Sequence, residues 1–424
     1  MSGFLRSRRV IGVFVAVVAI HALLGIATFG PGTSADLSDV PVAMVDADRG
    51  ELGSQLAGAD VDLIEWEAVG SREAMFEGLD DKTYAAGVVI PAGASEALAG
   101  LTDESPEPAT LELFVSRGRN PQAADAVERA VRAIAEGAAA EIGGEVLAGV
   151  AEADAPVAPE AVPVLAEPIQ VDVTAVNAPA DAADAQTPLV LVAMLWIGSL
   201  IATLVSWLSL HRKDSTAGRF IAAQLIVAAV LAVVQPVSIV GVANWLLGMD
   251  VALSAGLFGA LALTSTLFFL IQSSVLNWLG FGGWPILVLL WLFSFTLLSV
   301  PVEALATGYR VLVHSWLPAR FPYEAIQGIV HFDGAGQAGQ MAAVSGAIAV
   351  GALAVLLASY FRLRGRDLSI NPLQQRIANA TATDEADEDA DADEDADADD
   401  ADGGQGGVTD SAGAAEEGRD PVTA

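Results

Sequence analysis

Residues 188–210 read PLVLVAMLWIGSLIATLVSWLSL, without one charged side chain, and residues 211–219 then read HRKDSTAGR. A helix needs roughly 20 apolar residues to cross the hydrocarbon core of a bilayer, and basic residues stay on the cytoplasmic side of a span. This stretch therefore reads as a transmembrane helix followed by a cytoplasmic loop. Four more apolar runs follow, over Phe220–Leu247, Val251–Asn277, Pro285–Leu305 and Met341–Phe361. One precedes the quoted stretch, over Val10–Phe29, after Arg6, Arg8 and Arg9 and before Gly30-Pro31. It is longer than the roughly 7–15 apolar residues of a cleaved signal, which favours an uncleaved anchor, with cleavage near Thr33-Ser34-Ala35 as the alternative.

Six crossings place three basic clusters on one side: the first segment, the loop with Arg212, Lys213 and Arg219, and Arg362, Arg364 and Arg366. The expected fold is thus a polytopic α-helical plasma-membrane protein of a prokaryote with both chain ends cytoplasmic. Residues 31–187 then lie outside, between the first and second helices. Trp207, Trp245, Trp278, Trp284, Trp316 and Tyr360 fall near expected span ends, as an interfacial belt does. Gly339, Ala343, Ala347 and Gly351 repeat every four residues, a pattern for close helix packing.

The charge distribution agrees with this threading. The chain of 424 residues carries a net charge of -33 beside a mean hydropathy of +0.51. Residues 31–187 hold 30 acids and 7 bases, residues 370–424 hold 17 acids and 2 bases, and residues 188–369 are nearly neutral. Such an acid excess lacks the cationic patch that nucleic acid requires. Lysine occurs only at Lys82 and Lys213. An acidic, lysine-poor surface suits a high-salt host, where screening weakens self-repulsion; codon bias of a high-GC genome is the alternative. The tail from Thr383 onward, an Ala/Asp repeat, buries too little apolar surface to order itself.

Residues 40–175 alternate strand-like and helix-like patterns, which implies an α/β domain, placed at 31–150. Strands are expected at Val40–Val45, Val61–Trp66, Ala85–Ile90 and Ala109–Val115. Helices are expected at Ser71–Leu79, with Ser71 as N-cap, at Ala92–Leu101, and from Pro121 to about Val150. Residues 151–187, rich in Ala, Pro and Asp, read as a semi-extended stalk with one strand at Ile169–Val173. Residues 188–369 form the five-helix membrane domain and 370–424 the tail.

Catalytic, cofactor and metal motifs do not emerge. There is no cysteine, no phosphate-loop motif and no nucleophile elbow, and His21, His211, His314 and His331 show no metal-ligand spacing. The G-x-G-x-x-G at Gly334–Gly339 leads into a membrane helix rather than opening a βαβ unit, so it reads as a hinge. Polar residues at membrane depth are costly unless paired or facing a cavity. Gln224, Gln235, Pro236, Gln272 and Glu303 are the candidates for an intramembrane pathway or gating kink, with His21 and Asn244 beside them; inter-helix hydrogen bonding is the plainer reading.

Three stretches resemble the phage-infection-protein (YhgE/Pip) branch of the ABC-2-type permeases. Residues 40–50, VPVAMVDADRG, are similar to its "VAVVNEDKG" element, with Asp46 in place of Asn. Residues 82–91, KTYAAGVVIP, are similar to "YYA-x-IVIP", and Leu317-Pro318 followed by residues 321–328, FPYEAIQG, to the element before the last span, without its closing Arg. The resemblance covers residues 1–370. It implies a dimeric permease subunit, not itself an enzyme, that works with a separately encoded ATPase to export a lipid, polymer or peptide-like molecule. It equally implies a surface receptor, scaffold or secretion-system component acting through the outer domain. Under the first reading, His211, Arg212, Lys213 and Arg219 are the candidate ATPase-coupling loop, and Pro318, Pro322 and Tyr323 the candidate outer gate.

Overall fold

The computed structural model describes residues 37–364, apart from 59–61, 104–105, 154–158, 160, 181 and 211–215, together with a few positions between 18 and 33. Most of the first apolar run, Arg6, Arg8, Arg9, His21, the loop residues His211, Arg212 and Lys213, Arg366 and the acidic tail lie outside the described residues.

The first half is a five-stranded sheet with helices between its strands. In chain order these are β1 (Val40–Asp46), α1 (Glu51–Ala57), β2 (Ile64–Ala68), α2 (Arg72–Asp80), β3 (Ala86–Ile90), α3 (Ala94–Ala99), β4 (Ala109–Ser116), α4 (Pro121–Glu152), α5 (Ala161–Ala166) and β5 (Ile169–Val176). The spatial order is β2-β1-β3-β4-β5. Pairing is parallel except between β3 and β4, where Ala86 faces Val115 and Val89 faces Glu112. A strand covered on both faces reads as a continuous apolar run, and β1 and β3 are the strands so buried. One face carries Val42, Val88, Leu113 and Val115 against Val127 and Val131 of α4. The other carries Val45, Val89 and Phe114 against Met75 and Leu79 of α2.

The helix starts follow local chemistry. The Ser71 hydroxyl accepts from the Ala74 N–H and the Asn120 side chain from the Ala123 N–H, with Pro121 at the first turn of α4, where its missing N–H costs nothing. The stretch read as a stalk differs from expectation. Its strand runs eight residues and pairs with β4 along its whole length, Ala109 with Ile169 through Ser116 with Val176. The α/β unit therefore extends to Val176. Ile169, Val171 and Val173 face the core of α4 and hold the strand in the sheet despite its Ala- and Pro-rich surroundings.

The second half is helical: α6 (Thr187–Leu210), α7 (Ala217–Leu246), α8 (Ala255–Leu279), α9 (Trp284–Leu298), α10 (Thr307–Leu312), α11 (Arg320–His331) and α12 (Ala338–Leu363). By length and composition, four helical stretches among the described residues can cross a membrane: α6, α7, the stretch Ala255–Leu298 that joins α8 and α9 through a 3-10 turn, and α12. The helix expected over Pro285–Leu305 stops at Leu298, followed by Pro301 and a short 3-10 turn, Val302–Ala304. At about 1.5 Å per residue its 15 residues rise only about 22 Å. It nevertheless joins both ends of the bundle: Leu287 packs with Trp207, Ala217 and Leu363, whereas Leu297 and Leu298 pack with Leu189, Leu317 and Ile326.

The end at Thr187, Leu298 and Ala338 adjoins the α/β unit. Arg219, Arg362 and Arg364 lie toward the other end, with the Arg362 guanidinium over the Trp278 ring. Apolar side chains such as Ile226, Val230, Val233 and Val237 of α7 point outward, as a lipid-facing surface requires. Gly339, Ala343, Ala347 and Gly351, expected to seat a neighbouring helix, are exposed; the packed face of α12 carries Ala338, Ser345, Ala349, Leu356 and Ser359 instead.

Candidate functional site

Several polar side chains inside the bundle bond one another across the helices. Gln224 and Asn277 exchange side-chain amide hydrogen bonds (3.2 and 2.9 Å), and Asn277 also donates to the Ser359 hydroxyl at 3.0 Å, tying α7, α8 and α12 together. The Gln235 carbonyl accepts from the Ser199 and Ser265 hydroxyls, joining α6, α7 and α8. Gly198 makes this possible, because a Cβ there would lie 2.6 Å from the Gln235 amide nitrogen. Pro236 sits inside α7 without ending it. Gln272 donates to the Trp196 carbonyl and accepts from the Thr203 hydroxyl. Asn244 closes the turn after α7 by a reciprocal pair of bonds to the Val251 backbone. Without water to satisfy them, such groups must find partners within the bundle, and these do.

The junction between the α/β unit and the bundle is of another kind: it is built from charges. Arg119, just after β4, pairs with Glu303 in the turn after α9, and its guanidinium also donates to the Thr83 carbonyl. Both side chains of the pair are largely buried. The Gln327 amide of α11 donates to the carbonyls of Gly118 (3.1 Å) and Arg119 (2.8 Å). Its oxygen accepts from the Lys82 ammonium at 3.1 Å, and Lys82 donates also to the Glu324 carbonyl, again at 3.1 Å. Glu324 in turn pairs with Arg320 one turn earlier.

Lys82 occupies an unusual backbone position. It follows the C-cap of α2 with φ of +60°, the left-handed position that glycine normally takes, at a cost of roughly 1–2 kcal/mol for another residue. What the chain gains is an ammonium aimed into the junction, over the Phe332 ring. Burial holds its pKa down to about 8; the Glu324 carboxylate pulls it back up and the nearby Arg119 lowers it further. His331 and His314 are likewise held down to about 4, first by burial and then by Lys82 and Arg320 respectively, and burial pushes the Tyr323 phenol up to about 12. Backbone contacts complete the joint. A Cβ on Gly118 would meet the His331 Cβ of α11 at 2.9 Å, and one on Gly336, in the G-x-G-x-x-G loop, would meet Asp80 and Asp81 at 3.0 Å. That loop is a contact with the α/β unit.

Lys82, Arg119, Glu303 and Tyr323, with Asp81, Leu298 and Met341, line a cavity of about 220 Å³. A larger cavity of about 700 Å³ lies at the His331 end of α11, bordered by Asp184, Asp250 and Asp333. Among the described residues no three His, Asp or Glu side chains are placed to hold a metal ion.

The structure brings Glu303 and Tyr323 to the junction, while Gln224, Gln235 and Gln272 sit among the helices. Pro322 is buried at the first turn of α11, and Pro318 precedes that helix. Arg219 lies at the start of α7. Sequence reasoning missed Lys82, Arg119 and Gln327 as a group; the rarity of lysine was the one available signal. The motif at residues 40–50 has a local task beyond the C-terminal ends of β1 and β3: the Asp48 carboxylate accepts from the Ser95 hydroxyl and from the Gly93 and Ser95 N–H groups, which lowers its pKa.

A family model described as ABC-2 family transporter protein matches residues 8–361. No curated protein matches the chain. No solved structure matches it either.

Proposed function

The chain belongs to the ABC-2 transporter family, and from that premise we propose that it is the membrane permease subunit of an exporter driven by a separately encoded ATPase. It crosses the membrane six times, counting the first apolar run, with 31–187 outside and both ends in the cytosol. The proposal includes a dimer of such subunits and the YhgE/Pip branch of the family, on the strength of the three sequence elements. The ATPase docks at the basic end, on the loop His211 to Arg219.

The observation that carries this reading is the junction. Two of the resembling elements, 82–91 and 317–328, are joined by hydrogen bonds from Lys82 to α11 across 245 residues of sequence. A folded domain tied by charged groups to the end of a helical bundle, opposite its basic end, is suited to control an outer opening. Helix α11 and the turn at Glu303 then move with the α/β unit, and Tyr323 and the Pro318–Pro322 stretch form the moving edge.

The test is affinity purification of the full chain from native membranes. The exporter reading expects an ATPase to copurify and to be lost when Arg212 and Lys213 are both changed to Glu. Recovery of outer-surface proteins alone would favour a receptor or scaffold acting through the α/β unit.

A further inference from the structure

The junction cavity does not stand alone. Leu298 lines it and also lines a narrow apolar seam between α6 and α9, bordered by Leu189, Val192, Trp196, Trp291 and Phe295. Phe295 is exposed on the outward surface, so the seam is open toward lipid. Leu298 thus stands between a polar cavity and an apolar seam at the end of the bundle that meets the α/β unit.

At about 220 Å³ the cavity is smaller than the roughly 300–1,000 Å³ of a site for a whole small molecule. It has room for a headgroup. Its lining holds three acids, Asp81, Glu303 and Glu324, and three bases, Lys82, Arg119 and Arg320, and what sets Lys82 apart is its direct partners. Arg119 is paired with Glu303 and Arg320 with Glu324, whereas Lys82 donates to two neutral oxygens and makes no ion pair among the described residues. An ammonium has three N–H donors, so one remains for an incoming acceptor. A buried charge without a partner of opposite sign is costly, and its lowered pKa reports that cost. An anion in the cavity would remove it.

The seam lacks something too. The indole N–H groups of Trp196 and Trp291 are buried without a hydrogen-bond partner, and Trp196 is only 2% exposed. An acceptor oxygen at that level would satisfy them, and in a lipid it is the ester carbonyls, between headgroup and chain, that supply one.

We propose that the junction is a binding site for an anionic membrane lipid, its headgroup against Lys82 in the cavity and its chain along the seam between α6 and α9. The seam is narrow as it stands, about 10 Å³, so the chain enters as α9 parts from α6. The inference deepens the exporter reading, from which it takes the outward placement of the site and the role of the lipid as cargo.

The test uses the full-length protein in nanodiscs of phosphatidylcholine, titrated with either phosphatidylglycerol or phosphatidylcholine whose acyl chains carry bromine, a quencher of nearby indoles. The six tryptophans other than Trp196 and Trp291 give the background. Quenching should reach half its extent at an anionic mole fraction lower by about tenfold, the expectation for one added charge-assisted hydrogen bond. Lys82→Gln should abolish the headgroup preference and Lys82→Arg keep most of it. In the Trp196→Phe/Trp291→Phe variant the high-affinity quenching should vanish. Equal quenching by both headgroups in the unaltered protein would overturn the proposal, as would a Lys82→Gln protein that keeps the preference. Full competition by soluble glycerophosphate at matching concentration would overturn the membrane source. No ATPase takes part in this measurement. Lipid selectivity without ATPase copurification would sink the exporter reading and leave the site. ATPase copurification without selectivity would sink the site alone.

Discussion

Two polar networks hold this molecule together, and they use different chemistry. Between the bundle helices the partners are neutral amides and hydroxyls: Gln224 with Asn277 and Ser359, Gln235 with Ser199 and Ser265, Gln272 with Thr203. At the joint with the α/β unit the partners are Arg119 with Glu303, Arg320 with Glu324, and Lys82 on backbone and amide oxygens. At hydrocarbon depth a charge is expensive, so association there relies on neutral pairs that need no counter-ion. At the membrane boundary a charge is tolerable, and it brings what neutral pairs lack: response to pH and affinity for anions. The first network glues, and the second can be switched.

The sharpest way to break the contrast is to remove one charge. Arg119→Ala or Glu303→Ala leaves the other buried without a partner, and each should cost about 3 kcal/mol, the low end for buried pairs because both side chains keep some solvent contact. The double variant should be less damaging than the sum of the singles, a coupling that a double-mutant cycle of unfolding measurements in detergent reads directly. In the neutral network Asn277→Leu should cost less, about 1.5 kcal/mol, since hydrogen bonds between membrane helices are worth about 0.6 kcal/mol each on average. If the two networks cost the same, the contrast fails.

The pH response is smaller still. Lys82 titrates near 8 in the folded protein against 10.5 ordinarily. Between these values the unfolded chain holds more protons, so stability rises with pH. From pH 7 to pH 9 the gain should be about 1 kcal/mol, seen as a rising unfolding temperature and absent in Lys82→Gln. His314 and His331, held near 4, contribute their full stability above the usual histidine pKa of about 6.5, and Tyr323, pushed to about 12, titrates far above the window. Lys82 is therefore isolated within it. The smallest effect belongs to a surface pair outside both networks: Arg132→Ala, which loses its one-turn contact with Glu128, should change stability by about 0.3 kcal/mol.

Much of the scaffold was legible in the residues. The apolar run at 40–45, the Ser71 cap and the start of α4 at Pro121 follow from pattern and local chemistry, and the structure places them there. The length of β5 was not legible, because what holds Ala175 and Val176 in the sheet is β4, some 60 residues earlier, rather than their own pattern. Nor was the joint. Glu303 read as a candidate polar group at membrane depth, since its partner Arg119 is 184 residues away. Nothing in the stretch around Lys82 announces a left-handed backbone at a lysine. Those features exist only once the α/β unit is set on the helices.

The central claim is that the α/β unit lies outside the cell and the basic loops inside. Because the chain has no cysteine, a single introduced thiol reports its own side alone. Thr110→Cys, on the exposed part of β4, and Ser215→Cys, in the loop between the second and third expected spans, are treated in intact cells with a membrane-impermeant maleimide. The account predicts labelling at position 110 in intact cells and at position 215 only after permeabilisation. Labelling at 215 with protection at 110 would contradict it.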